Sequence, residues 1–389
     1  MLLDCAIIGT GPAALMTGDM LSENSQRVAF FESKPGPAWK LLVAGSSGLN
    51  VAFDFADLDF TAEYSSRQEE LRRVFSVFPP LAWIEHLKGL GEEPYLGTSG
   101  RYFLRSWKAT SLLQAWRLRL ESRAASFHFK QELIDFNLVN DRVECRFSSG
   151  EVVEAKTVVL ALGGASWENT IPGWRELLLR KGLAVPDFQA ANVGYELHAP
   201  SEFFAEAEGK AIKGLILRTN KGERQGELMI TKYGLEGTPI YTNGASGPAF
   251  LDLKPDLSEA RLMDRISSWK GPILRRVEKS AKLSPGAFLL FKYLAHATAL
   301  ETPKSAAEAL KNFPITLGSP RPLSEAISSS GGLSWDELGP NMEIKKFPRI
   351  FAAGEMIDWD APTGGFLIQA AVSTGYCAAK GALSILDPT

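Results

Sequence analysis

The chain has 389 residues, 45% hydrophobic and 22% charged, with 42 Lys and Arg against 45 Asp and Glu and a formal net charge of −3. This is the balance of a globular protein with a sizeable core, which argues against a disordered chain and against a basic, non-specific nucleic-acid binder. The length suits two domains, or one domain carrying a large insertion.

The first apolar segment, Cys5-Ala6-Ile7-Ile8, begins too early for a secretory leader with its basic start and small-residue cleavage site, so a cytoplasmic protein is expected. No apolar run approaches the roughly 20 residues that span a bilayer, and no membrane partner is expected. Residues 3–8 and 27–32 read as strands and 13–22 as a helix, a βαβ unit. Residues 33–52 are rich in Gly, Pro and Ser and read as a long functional loop. A helical stretch over 67–90 is interrupted at Pro79-Pro80, and a helix over 107–124 carries Arg117, Arg119 and Arg123 on what is expected to be a solvated face.

Residues 127–130, 133–139 and 142–147 read as strands, with hairpin-turn chemistry at Asn140-Asp141. A buried strand over 157–162 runs into Gly163-Gly164. From about 191 the grammar changes to antiparallel β at 193–197, 211–218, 227–231 and 239–242, then amphipathic helices over 257–277, 287–298 and 304–312. After 323 the α/β pattern returns, with a strand at 350–353 and a helix over 366–383. The reading is an α/β, Rossmann-type domain of a parallel sheet flanked by helices, made from residues 1–190 and 323–389. An inserted substrate or cap domain spans 191–322, β-rich over 191–255 and helical over 256–313. A C-terminal piece alone is too short to hold its own core.

Gly9-Thr10-Gly11-Pro12-Ala13-Ala14 is a G-x-G-x-x-A turn between strand and helix. Gly9 permits the tight turn, Gly11 lets a pyrophosphate approach the backbone, and Ala14 lets the helix pack on the strand. Glu32, followed by Ser33, ends the second strand about twenty residues on, where an acid binds ribose hydroxyls and repels a 2′-phosphate. At the other end, Ile350-Phe351-Ala352-Ala353-Gly354-Glu355-Met356-Ile357-Asp358 is a strand running into Gly-Glu, with Thr363-Gly364-Gly365-Phe366 opening a helix. Two glycines allow a flat ring close to the backbone, and a helix N-terminus favours negative charge on a reduced flavin. The pair of motifs points to FAD. No second G-x-G-x-x-G/A is present, so a nicotinamide, NAD(P)H, is expected at most as a transient donor.

These residues belong to a longer set. It includes Lys40-Leu41-Leu42, Gly45-Ser46-Ser47-Gly48-Leu49-Asn50, Gly100-Arg101-Tyr102-Phe103 and Gly163-Gly164-Ala165-Ser166, then Gly234-Leu235-Glu236-Gly237 and Gly331-Gly332. With it, the chain resembles the aminoacetone-oxidase-like family of NAD(P)/FAD-dependent oxidoreductases, which includes bile-acid-reductase-like members. The resemblance implies bound FAD on a glutathione-reductase-type domain, a three-part architecture and redox chemistry on a small organic substrate. The Arg and Cys of the commoner Gly-Gly-Gly-Arg-Cys-Asn loop are absent here, so substrate identity does not carry across.

The candidate cofactor-binding residues are therefore Gly9, Gly11, Pro12, Ala13, Ala14, Glu32, Ser33, Lys40, Asn50, Gly163, Gly354, Glu355, Asp358, Gly364, Gly365 and Phe366. Lys40 is either a neighbour of the flavin or a solvated surface lysine, and Asn50 either bonds the ring or holds the loop. Arg101, Tyr102, Trp359 and Asp360 are candidates for the pocket wall or for packing. His86, His128, His198 and His296 are isolated, without metal-ligand spacing, and are expected to be structural or exposed. Cys5, Cys145 and Cys377 form no CxxC pair and read as inert buried thiols. No acid or base is singled out, no metal is expected, and nothing sets an oligomeric state. Two alternatives to hydride transfer with a small molecule are a flavin monooxygenase, disfavoured by the lack of an Asp-Gly dipeptide, and a tRNA-modifying flavoprotein, disfavoured by the net charge.

Overall fold

A computed structural model describes residues 2–45, 48–54, 60–64, 67–98 and 100–387; Ser46 and Ser47 of the Gly-Ser loop lie outside them. The chain divides into two units, Met1–Gln189 with Ser328–Thr389, and Ala190–Ile327.

The first unit grows from apolar runs that can be buried on both faces, as parallel strands require. β1 (Leu3–Ile8), α1 (Pro12–Glu23) and β2 (Val28–Glu32) form the βαβ unit, with Cys5 opposite Val28 and Ile8 opposite Phe31. Part of the expected loop is regular secondary structure. Trp39-Lys-Leu-Leu-Val-Ala forms α2 (Trp39–Ala44), a run of helix formers ended by Gly45, and β3 (Asn50–Phe53) follows. The Gly and Pro at the margins obscure both elements in the sequence.

α3 (Gln68–Val77) and α4 (Pro80–Gly89) part at the proline pair, with Pro80 in the first turn of α4. β4 (Pro94–Leu96) and β5 (Arg101–Leu104) join β3 in an antiparallel sheet, ordered β3-β5-β4. α5 (Ala109–Ser122) leads to β6 (Ser126–Phe129), and β7 (Leu133–Val139) and β8 (Arg142–Phe147) make the hairpin. Asn140 and Asp141 turn it at φ 48° and 59°, the left-handed pair that a two-residue loop demands. β9 (Val152–Leu160) is central, and α6 (Gly173–Arg180) follows it.

One face of α5 departs from expectation. Arg117 pairs with Glu121 on the surface, but Arg119 and Arg123 are half-buried: both turn inward to the carboxylate of Asp19 on α1, which is 2% exposed. Trp116 Nε1 donates to the same carboxylate at 3.1 Å, and His86 Nε2 lies 3.0 Å from it. A buried carboxylate needs such partners.

After β10 (Gln189–Ala191), the second unit contains β11 (Tyr195–Leu197), α7 (Ser201–Ala207), β12 (Ala211–Thr219), β13 (Gly222–Ile230), β14 (Gly234–Glu236) and α8 (Thr238–Asn243). There follow β15 (Gly247–Asp252), α9 (Glu259–Ser267), α10 (Ile273–Ser280), α11 (Pro285–Leu294), α12 (Pro303–Lys311) and β16 (Phe313–Pro320). Six strands close a barrel, β11-β14-β13-β12-β15-β16, around Leu215, Leu217, Leu228, Ile230, Leu251 and Leu317.

Two sequence expectations fail in this unit, and one strand goes unread. Residues 239–242 are helical, because Gly237 at φ 122° and Pro239 start a turn of helix there. The single helix over 257–277 is two, broken at Gly271-Pro272. Residues 313–320 form a strand whose inward alternation of Phe313, Ile315 and Leu317 is masked by Pro314 and Gly318.

The first unit is completed by β17 (Ser328–Ser330), β18 (Ile350–Ala352) and α13 (Phe366–Leu386). β9 pairs with β1 along one side. Along the other, its first half meets β8 antiparallel and its second half meets β18 in parallel. The main sheet therefore runs β6-β2-β1-β9-β8-β7 with β18 beside β9. α13 crosses α1 closely enough that Thr17 Oγ1 donates to the Gly375 carbonyl at 2.9 Å. No helix among the described residues is long and apolar enough to cross a membrane.

Candidate functional site

The C-terminal ends of β1, β2, β9 and β18 are where ligands bind in an open parallel sheet. At the end of β1, Gly9 sits at φ 113°, and a Cβ there would lie 2.2 Å from the Ala161 carbonyl oxygen, so only glycine fits. Two residues on, a Cβ on Gly11 would meet nothing within 4 Å, leaving open space before the N-terminus of α1. Pro12 opens that helix, Ala14 is fully buried, and Ala13 is flanked by Gly354 and Gly375, whose added Cβ atoms would fall 2.9 and 2.3 Å from it.

Glu32 closes β2 with both carboxylate oxygens engaged. One accepts from Thr10 Oγ1; the other accepts from the Lys34 amide at 2.9 Å and Ser33 Oγ at 3.2 Å. The oxygen that accepts from Thr10, Oε2, keeps further acceptor capacity for a ribose hydroxyl.

Lys40, on α2, is not a solvated lysine. Its Nζ donates to the Gly164 carbonyl at 2.7 Å. Burial lowers the ammonium below its ordinary range, against the upward pull of Glu355 and Glu168. Asn50 begins β3 with a buried Oδ1 that has no hydrogen-bond partner among the described residues. Gly163 stands at φ 71° with open space where a side chain would be.

Gly164 is packed instead: a Cβ there would lie 2.4 Å from Ser329 Oγ and 2.7 Å from Glu355 Cδ. Ser329 ties the corner, accepting from the Ala165 amide at 2.9 Å and donating its own amide to Glu355 Oε1 at 3.0 Å. The sequence signals Ser329 only through its place before Gly331-Gly332.

Gly354 takes φ 80°, its amide donating to Thr374 Oγ1 at 2.9 Å and its carbonyl accepting from Trp359 Nε1 at 3.0 Å. Asp358 is committed to the scaffold: Oδ1 accepts from the Gly331 amide and Oδ2 from Arg67 Nη2, each at 3.0 Å. Gly364 and Gly365, at φ 122° and 105°, precede α13, and a Cβ on Gly365 would fall 2.5 Å from the Ala52 backbone. Phe366 turns its ring into the core, stacked on Phe53 at 5.1 Å, while its carbonyl accepts from Tyr64 at 2.8 Å.

The histidines lend themselves to structural roles, His128 stacking on Phe31 at 4.9 Å and His198 and His296 being exposed. Among the described residues no group of His, Cys, Asp and Glu could hold a metal ion. What gathers at the strand ends is a glycine-lined, open-faced turn, a ribose-compatible acid and a half-buried cation. That set fits an extended dinucleotide.

The family model described as the HI0933-like protein Rossmann domain matches residues 3–381. The chain belongs to the HI0933-like family. As an HI0933-like Rossmann protein it is an FAD-dependent oxidoreductase. Two curated relatives align along nearly its whole length. The 3-dehydro-bile acid delta(4,6)-reductase of Clostridium scindens is 22% identical, covering 97% of this chain and 98% of the relative. The ribosomal RNA dihydrouridine synthase of Escherichia coli is 22% identical, covering 97% of each. Among solved structures, 3-ketosteroid delta1-dehydrogenase from Sterolibacterium denitrificans, in complex with 1,4-androstadiene-3,17-dione, superposes with a TM-score of 0.53. It is 12% identical, covers all of both chains, and shows a shared fold with this HI0933-like protein.

Proposed function

We propose that the protein reduces a carbon–carbon double bond conjugated to a carbonyl in a small organic molecule, with NAD(P)H as the electron donor. The observation that carries this reading is a bond change shared by two full-length relatives with unrelated substrates. One is named for reducing the 4,6 double bonds of a 3-oxo bile acid, the other for making dihydrouridine, in which the uracil double bond beside a carbonyl is saturated.

The cradle suits this chemistry. Gly9, Gly11 and the N-terminus of α1 would hold the FAD pyrophosphate, Glu32 the adenosine ribose, and Lys40 and Asn50 the middle of the cofactor. The backbone of Gly364 and Gly365 would face the ring. Bound FAD supplies the hydride chemistry. The chain supplies position and charge.

A second reading, uridine in RNA as the substrate, is favoured by the dihydrouridine synthase relative and weighed down by the net charge of −3. The two are separated by reducing the protein anaerobically with NADH or NADPH and offering either testosterone, a 3-oxo-4-ene steroid, or a uridine-containing ribosomal RNA transcript. Return of the yellow colour, with a product heavier by two hydrogens, is expected with the steroid. Bleaching by an amine with recovery only in air would replace the reading with that of an oxidase.

A further inference from the structure

The segments that follow β2 and β9 each bring one indole to an aromatic corner. Trp39, at the start of α2, is 40% exposed, and its ring meets that of Trp167 edge-on, with centroids 6.5 Å apart and planes at 83°. Lys34 completes the corner: its Nζ lies 5.7 Å from the centre of the Trp39 ring and pairs with Glu168 at 3.0 Å. The corner is bonded to the dinucleotide cradle on both sides of Trp39. Before it, the Ala38 amide donates to Thr10 Oγ1 at 3.0 Å, and that hydroxyl donates to Glu32. After it, Lys40 Nζ donates to the Gly164 carbonyl, shortly before Trp167. Cβ atoms added to Gly36 and Gly163, in the same two segments, would meet nothing within 4 Å. The rings are also carried at a conformational cost. Ala38 takes φ 50° and Trp167 φ 58°, a region that a bulky side chain enters only where its surroundings hold it there.

We propose that Trp39 and Trp167 form the seat of the adenine base of FAD, with the base stacked on the exposed indole of Trp39 and with Trp167 as a positioning residue that braces that indole. The inference rests on the reading of Glu32 as the ligand of the adenosine ribose. Adenine is bonded directly to that sugar, so a ribose held by Glu32 leaves the base one bond beyond it. The bonds that leave Glu32, through Thr10 to Ala38 and through the Lys34 amide, lead to the two neighbours of the Trp39 ring. An indole with an exposed face binds a purine by stacking, without reading the edges of the base. The seat is therefore expected to take the adenine of ADP as readily as that of FAD.

The test uses ADP, which carries base, ribose and pyrophosphate but no flavin ring. Wild-type protein stripped of flavin is compared with Trp39→Leu, which keeps an apolar side chain without an aromatic face, and with Trp39→Phe. ADP should quench tryptophan emission in the wild type and much less in Trp39→Leu. Affinity for ADP and for FAD should fall by the same factor in Trp39→Leu, roughly 10- to 100-fold, and recover in part in Trp39→Phe. Trp167→Leu should lose a smaller factor, restored by Trp167→Phe. On dilution, FAD should leave the loaded Trp39→Leu protein faster than the loaded wild type, seen as a gain of flavin fluorescence.

Glu32→Ala reads the underlying assignment separately and should weaken ADP binding. Equal ADP and FAD affinities in the wild type and Trp39→Leu, with Glu32→Ala weakened, overturn the adenine seat and leave the ribose reading intact. Equal ADP affinity in the wild type and Glu32→Ala sinks the ribose reading and the seat with it. The adenine of the nicotinamide donor is the other source of the same base. If NADP+ quenches the flavin-loaded wild-type protein and Trp39→Leu abolishes that quenching, the corner belongs to the donor and the assignment to FAD is overturned.

Discussion

Lys40 Nζ donates to the carbonyl oxygen of Gly164 at 2.7 Å, joining positions 124 residues apart. The bond ties α2 to the end of β9 and sets an ammonium in the field of Glu355, where three sequence-distant segments meet. Replacing Lys40 with Met would leave the Gly164 carbonyl without this donor and Glu355 without this cation. A charge-assisted hydrogen bond contributes about 1.5–3 kcal/mol, so flavin affinity should fall roughly 10- to 100-fold, with Arg restoring part of it. Flavin-to-protein absorbance after gel filtration and titration of apoprotein with FAD would show this; undiminished affinity in Lys40→Met would remove Lys40 from the site.

Gly9 and Gly11 should respond differently to a side chain, although both belong to the same turn. Alanine at position 9 would be strained at φ 113° and would overlap the Ala161 carbonyl, destabilising the fold by about 3 kcal/mol or more. A Cβ at position 11 has nothing within 4 Å, so valine there should leave thermal stability of the apoprotein nearly unchanged while blocking the cofactor. Melting curves and flavin content together check the contrast. A Gly11→Val protein that keeps full flavin would show that the open space at Gly11 is not where the cofactor lies.

The Asp19 cluster predicts a pH-dependent term in stability. Burial alone would raise the Asp19 carboxyl, but His86, then Arg119 and Arg123, outweigh it and hold it below the usual carboxylate range. A carboxyl lowered on folding contributes stability that is complete above its unfolded value of about 4 and is lost as pH falls through the folded one. Asp19→Asn should therefore be destabilised by about 1–3 kcal/mol at neutral pH, since it leaves two half-buried guanidinium groups without their charge partner. Below about pH 4 its stability should fall less steeply than the wild type's. Urea denaturation at pH 7 and across the acid range measures both; parallel pH profiles would contradict the assignment.

Cys5, Cys145 and Cys377 are buried, and burial pushes each thiol up to about 12. Thiolate is the reactive form, so a thiol reagent at pH 8 should label none of them in the native protein and all three in denaturant. Rapid labelling of a native cysteine would mean that its segment opens on the timescale of the assay.

The dinucleotide turn was legible because its physics is local: glycine where φ is positive, a small residue where helix meets strand, an acid at the next strand end. The same holds for the segment at Gly354 and for the glycines before α13. What was not legible depends on partners far away in the chain. The spacing of Arg117, Arg119 and Arg123 marks a helix face but does not say that Asp19, about 100 residues earlier, lies under part of it. Phe366 is a cofactor-binding candidate by position, yet its ring packs against Phe53 in the core. The commitment of Asp358 to Arg67 spans 291 residues. In the second unit, proline and glycine inside β16 concealed an alternation that the barrel nonetheless uses.

The crossing of α1 and α13, with Thr17 bonded to a carbonyl 358 positions later, bears on how the chain is made. A nascent polypeptide can form β1, α1 and β2 early, but the apolar face of α1 and one flank of β9 lie open until residues 350–386 emerge from the ribosome. Loop closure over such a distance is slow relative to local pairing, and exposed apolar surface invites association between unfinished chains. Interrupting synthesis before residue 350 should thus leave a chaperone-dependent, aggregation-prone fragment, and a short deletion inside α13 should harm solubility far more than one of equal length at the β7–β8 turn.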